Sequence, residues 1–143
     1  MSTHVSAIER NIKMANIWLN ELTEELQCED KEEAWVRLGA VLQTLRDRVP
    51  VDEAADFAAQ LPVLIRGFYY ESWNPSDTPQ KWRHKTDYLA AVNAKLGLHK
   101  PIDAEETVRA VLKIAAHHMD TGAIKKIKES HPKEVWDLWP TQH

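Results

Sequence analysis

The sequence predicts an all-α protein, and three observations carry that prediction. Apolar residues recur three and four positions apart, the period of a helix, along nearly the whole chain. Only four glycines occur in 143 residues, and no segment reads as a strand. Prolines and capping residues punctuate the apolar runs where helices would begin and end. With 43% hydrophobic and 28% charged residues, usage is that of an ordinary globular chain. The length suits one domain over residues 1–143.

The first run is Ile8, Ile12, Ala15, Leu19, Leu22 and Leu26, widened by Ile17 and Trp18, and it stops at Gln27-Cys28-Glu29-Asp30. Asp30 and Glu33 have the capping-box spacing, in which each side chain satisfies a backbone N–H left unpaired at a helix start. The second helix carries Ala34, Trp35, Leu38, Val41, Leu42 and Leu45 and ends before Pro50. Pro50 suits the start of a third helix, and Asp52 and Glu53 face the positive end of its dipole. Ala54, Ala55, Phe57, Ala58 and Leu61 form that helix's buried side, and Pro62 breaks it because proline lacks an N–H and clashes with the preceding turn. A short fourth helix follows from Val63 to about Tyr70.

Residues 72–79 are rich in breakers and form the linker. Thr78 and Pro79 read as the N-cap and first residue of a helix over 80–96, closed by Gly97. Asp103 and Glu106 repeat the capping signature ahead of Val108, Val111, Leu112 and Ala115. Helical pieces over 121–129 and 132–138 complete the chain.

The order repeats. Ala40-Val41-Leu42 recurs as Ala110-Val111-Leu112, an offset of 70, at which Pro62 also meets Pro132, Phe68 meets Leu138 and Tyr69 meets Trp139. The capping boxes are offset by 73, so the second helix starts about one turn earlier in the first copy. Agreement of apolar positions, proline break and helix order predicts two divergent four-helix repeats, about 4–73 and 78–140. Short third and fourth helices cannot bury their faces alone, so the copies are expected to pack on a shared core about a pseudo-twofold.

A resemblance rests on particular residues. The block from Leu45-Arg46-Asp47-Arg48-Val49-Pro50 through Gln60-Leu61-Pro62-Val63-Leu64-Ile65-Arg66-Gly67-Phe68-Tyr69-Tyr70-Glu71-Ser72-Trp73 resembles the signature of the bacterial domain-of-unknown-function family numbered 2267. Trp18-Leu19, Ala40-Val41-Leu42 and the Pro132 to Trp139 segment match the same pattern, over about residues 6–140. The resemblance implies a small, helical, bacterial, usually cytoplasmic protein with no established activity and no catalytic residues to carry over.

Charge is uneven. Residues 1–73 hold 13 acids and 7 bases, net −6, and residues 74–143 hold 9 acids and 11 bases, net +2. This reads as a solvated acidic face, or as complementarity between copies of the chain. It is too weakly basic for a nucleic-acid footprint. No apolar stretch approaches the roughly 18 residues of a membrane span, the N-terminus lacks a signal-peptide core, and a lone Cys28 fits a reducing cytoplasm.

No phosphate loop, nucleophile elbow or zinc spacing is present, and no catalytic, cofactor or metal residue is predicted. His117 and His118 are adjacent, so they point about 100° apart on a helix and read as cations at its C-terminal end. A metal there would need Asp120, His131 or Cys28. His84 lies three residues before Asp87 and reads as an exposed helix contact. Arg46 and Arg48 suit ion pairs between the second and third helices. Arg66, set in an apolar run, is expected to need a carboxylate. Tyr69, Tyr70 and Trp73, with Trp136 and Trp139 at the matching place, are core residues or an interaction platform, and Gly67 would allow close approach of a neighbour.

The reading that follows is a non-enzymatic helical module for protein–protein interaction or self-association. The alternative is a small-molecule-binding protein or enzyme with a pocket between the repeats, lined by Arg66, Tyr69, Tyr70 and Trp73. A closed apolar interface between the repeats favours the first.

Overall fold

The computed structural model describes residues 5–97 and 103–141. They form α1 (Ser6–Leu26), α2 (Lys31–Arg48), α3 (Val51–Ala58), α4 (Val63–Tyr70), a 3-10 turn (Pro75–Asp77), α5 (Lys85–Leu96), α6 (Ala104–His118), α7 (Thr121–Glu129) and a final 3-10 helix (Lys133–Leu138). No strand occurs among the described residues, and none of their helices is long and apolar enough to cross a membrane.

Local chemistry sets most boundaries. The Asp30 carboxylate accepts from Glu33 N–H at 2.9 Å to start α2, and Asp103 accepts from Glu106 N–H at 3.1 Å to start α6. α1 ends where Gln27 turns left-handed (φ 54°). Pro50 and Pro62 stand as the residues before α3 and α4.

The packing is crossed. α1 lies on α2 and α6, α2 also on α5 and α4, α5 on α6, and α3 on α7. Between them sit Trp18, Leu22, Leu38, Val41, Leu42, Leu45, Val108, Val111 and Leu112, each at most 1% exposed. Burying such side chains contributes roughly 1.5–3 kcal/mol apiece. The apolar surface between the two halves is therefore closed.

Several expectations change. α5 begins at Lys85, not at residue 80. Gln80 N–H donates to the Asp47 carbonyl at 2.7 Å and Arg48 Nε donates to the Trp82 carbonyl at 2.8 Å. These bonds hold residues 80–82 extended along the end of α2, and the Thr78 hydroxyl bonds Pro75 instead of capping a helix. Ile8 and Ile12, counted in the buried stripe, are 58% and 46% exposed, because the first turns of α1 overhang the described core. Ala55 is likewise exposed. A Cβ on Gly67 would meet nothing within 4 Å. The close approach occurs at Gly39, where a Cβ would overlap the Phe68 ring, itself stacked on Trp35 at 4.4 Å.

Candidate functional site

Arg46 and Arg66 serve helix ends, and among the described residues Arg46 and Arg48 bond elsewhere than in the expected ion pairs with α3. Carbonyls in the last turn of a helix lack intrahelical donors. Arg46, 3% exposed, donates Nη1 to the Tyr69 and Glu71 carbonyls (2.7 and 2.8 Å) at the end of α4, and Nε to Asp47 (2.8 Å). Arg66 donates to the Ala58 and Leu61 carbonyls, both at 2.9 Å. The carboxylate it was expected to need is replaced by the negative end of α3. Arg48 bonds the Trp82 carbonyl and lies 5.2 Å over its ring.

The aromatic residues divide. Tyr69 is sealed in the core and donates to the Ala54 carbonyl at 2.8 Å, and burial drives its pKa upward. Tyr70 touches Tyr69 and Trp73, with ring centroids 5.3 Å apart in each pair. Trp136 donates to the His131 carbonyl at 2.8 Å, with Lys128 and Lys133 over its ring. Trp139 is 5% exposed and packs on His131 at 4.9 Å. Arg66, Tyr69, Tyr70 and Trp73 are absent from the lining of four clefts of about 320–590 Å³ that the described surface carries among others.

His84 pairs through Nδ1 with Glu134 at 3.0 Å, and that hydrogen bond raises its pKa. His131, read only as a possible ligand, is instead a core residue, 4% exposed. Its Nδ1 donates to the Ile127 carbonyl at 2.8 Å, while Nε2 is buried without a partner. Burial pushes its pKa down to about 4.

The arrangement with the most chemical content is one the sequence did not predict. α1 and α6 pack together, and this brings Glu21 to the C-terminal turn of α6. His117 Nδ1 lies 2.9 Å from Oε1 of Glu21, and His118 Nε2 lies 2.5 Å from Oε2. The adjacent rings, expected about 100° apart, instead lie 4.6 Å between centroids with 49° between their planes, one reaching Glu21 with its near nitrogen and the other with its far nitrogen. The arms differ in length, and they converge on one carboxylate. Trp18 stacks on His118 (5.3 Å, 20° between planes) and fixes its plane. Burial would raise the Glu21 pKa, but the hydrogen bonds from His117 and His118 outweigh it and lower the value.

Among the described residues this trio is the one group of three His, Cys, Asp or Glu side chains whose ligand atoms lie within 4.8 Å of one another. Neither Cys28 nor His131 joins it, and Asp120 caps α7 by accepting from Ala123 N–H. No sequence signal links Glu21 to residues 96 and 97 positions away.

The charge asymmetry is answered inside the chain. Acids of the first half meet bases of the second at Glu25–Lys113 (3.1 Å), Asp56–Lys126 (3.2 Å) and Asp47–Lys95 (3.5 Å).

Comparison with known proteins places the chain. A family described as "Uncharacterized conserved protein (DUF2267)" matches residues 15–138, nearly the whole length. No curated protein matches it.

Proposed function

The chain belongs to the DUF2267 family, and from that premise we propose that it is a non-enzymatic helical module that associates with a second copy of itself through the overhanging start of α1. One observation carries this reading. Val5, Ile8 and Ile12 continue the face of α1 that buries Ala15, Leu19, Leu22 and Leu26, yet they are 49%, 58% and 46% exposed. An apolar face with no cover among the described residues is an interaction surface in search of a partner. An apolar helical stripe is complementary to itself, as an isologous contact requires. Electrostatic self-association has less support, since the opposed charges already meet within one chain.

The fold is read here as two tandem repeats about a pseudo-twofold. Element starts support it: α7 begins 70 residues after α3 (121 − 51), and the final 3-10 helix 70 after α4 (133 − 63). Exchanging the copies converts α1 on α6 into α5 on α2, and α1 on α4 into α5 on the 3-10 helix, and all four pairs occur. Residues 70 apart touch across the axis, as Arg37 does with Thr107 (3.3 Å) and Lys126 with Asp56 (3.2 Å). The rival reading of a ligand pocket between repeats lacks such support, because the apolar surface there is closed.

Sedimentation velocity from 1 to 100 µM, in low and moderate salt, tests the self-association. The expected result is a dimer insensitive to salt that Ile8→Asp with Ile12→Asp converts to monomer. These side chains are exposed, so circular dichroism should show an unchanged fold. A wild-type chain monomeric throughout would refute the proposal, and a dimer lost with salt would return the contact to charge.

A further inference from the structure

We propose that Glu21, His117 and His118 form a binding site for a divalent transition-metal ion of the zinc, nickel and copper class. The donor set is two imidazole nitrogens and a carboxylate, which suits those ions better than magnesium or calcium, whose sites are built from oxygen. All three ligand atoms already lie within 4.8 Å of one another. Metal–ligand bonds of about 2.0–2.2 Å put neighbouring donors about 3.3 Å apart in a tetrahedral site. Both histidines are exposed and Glu21 is half-buried, so their side chains can rotate to close a remaining gap of at most about 1.5 Å. An ion would replace the protons that now bridge the carboxylate and the imidazoles.

Two further features favour a cation at this point. The histidines end α6, where unpaired carbonyls carry the negative end of the helix dipole. His118 is held by its stack on Trp18, so one ligand is set in place before the ion arrives. Three protein ligands leave coordination positions for water or a partner's side chain. The bound ion would pin α1 to the end of α6, two elements 78 residues apart (104 − 26) along the chain.

The test is isothermal titration of the untagged full chain with zinc, and with cobalt followed by its visible absorption. The expected result is one saturable site per chain with a nitrogen-ligated cobalt spectrum, and no heat with magnesium. Glu21→Gln, His117→Ala and His118→Gln should each weaken zinc binding about tenfold or more, whereas His84→Ala should leave it unchanged. His117 has 68% of its side chain exposed, so its variant folds normally and keeps the test decisive. Absence of saturable binding up to millimolar zinc would overturn the proposal. So would a site that survives His117→Ala and Glu21→Gln with the same affinity.

Discussion

Acid should weaken this fold first through one residue, His131. Its imidazole is buried, and burial pushes its pKa down to about 4, against about 6.5 in an unfolded chain. It packs between Tyr88 (6.0 Å) and Trp139 (4.9 Å), with Arg48 adding repulsion. Protonation would place a new N–H on Nε2, which faces no acceptor. Because the folded pKa is depressed, the unfolded state binds the extra proton first. The stabilisation is complete above pH 6.5 and is lost as pH falls through 6.5 towards 4. A gap of about 2.5 units corresponds to about 3 kcal/mol at most, and to about 2 kcal/mol by pH 5. That is a large share of the 5–15 kcal/mol typical of a domain.

Urea denaturation at pH 7.5, 6.5, 5.5 and 5.0 measures this, with His131→Gln as reference. The variant is less stable at neutral pH but should lose about 2 kcal/mol less between pH 7.5 and 5.0. Carboxylates such as Glu21 and Asp137, whose pKa values are lowered, weaken folding in the same direction at lower pH, and the comparison removes their share. Parallel pH profiles for the two proteins, or an NMR titration showing His131 protonated in the folded state at pH 6, would refute the reasoning.

Other substitutions have equally direct outcomes. Gly39→Ala drives a methyl group into the Phe68 ring and should cost about 1–3 kcal/mol in chemical denaturation. Gly67→Ala meets open space within α4 and should stabilise by about 0.4–1 kcal/mol. Arg46→Met leaves two carbonyls at the end of α4 without their donor and should cost about 2–4 kcal/mol. Equal effects of Gly39→Ala and Gly67→Ala would show that helix propensity, not the Phe68 contact, governs these positions.

What the sequence made legible is local. Capping carboxylates at Asp30 and Asp103 and prolines at positions 50 and 62 act within a turn of where they stand, so the helix order could be read directly. Where a distant segment decides, the reading failed. Thr78 and Pro79 read as a helix start ahead of residues 80–82, but Asp47 and Arg48 draw those residues into an extended strap. Nothing local marks Gly39 within α2, and its tight fit is set by the Phe68 ring of a different helix. Ile8 and Ile12 fit the apolar period perfectly well, and periodicity does not say where the core ends. The Glu21 cluster depends on which helix lies beside α1, a matter of tertiary packing alone.

Crossed packing also sets a timetable for synthesis. α1 finishes at Leu26 and one of its main partners, α6, finishes at His118, 92 residues later (118 − 26). At 5–20 residues per second the ribosome takes roughly 5–18 s to supply it. Until then the side of α1 that α6 covers has no partner, although α2 and α4 are already made, and the chain cannot yet close its core. The net charge of −6 on residues 1–73 repels like chains during the wait. The acidity of the first half thus protects a nascent polypeptide before it pairs with the bases of the second.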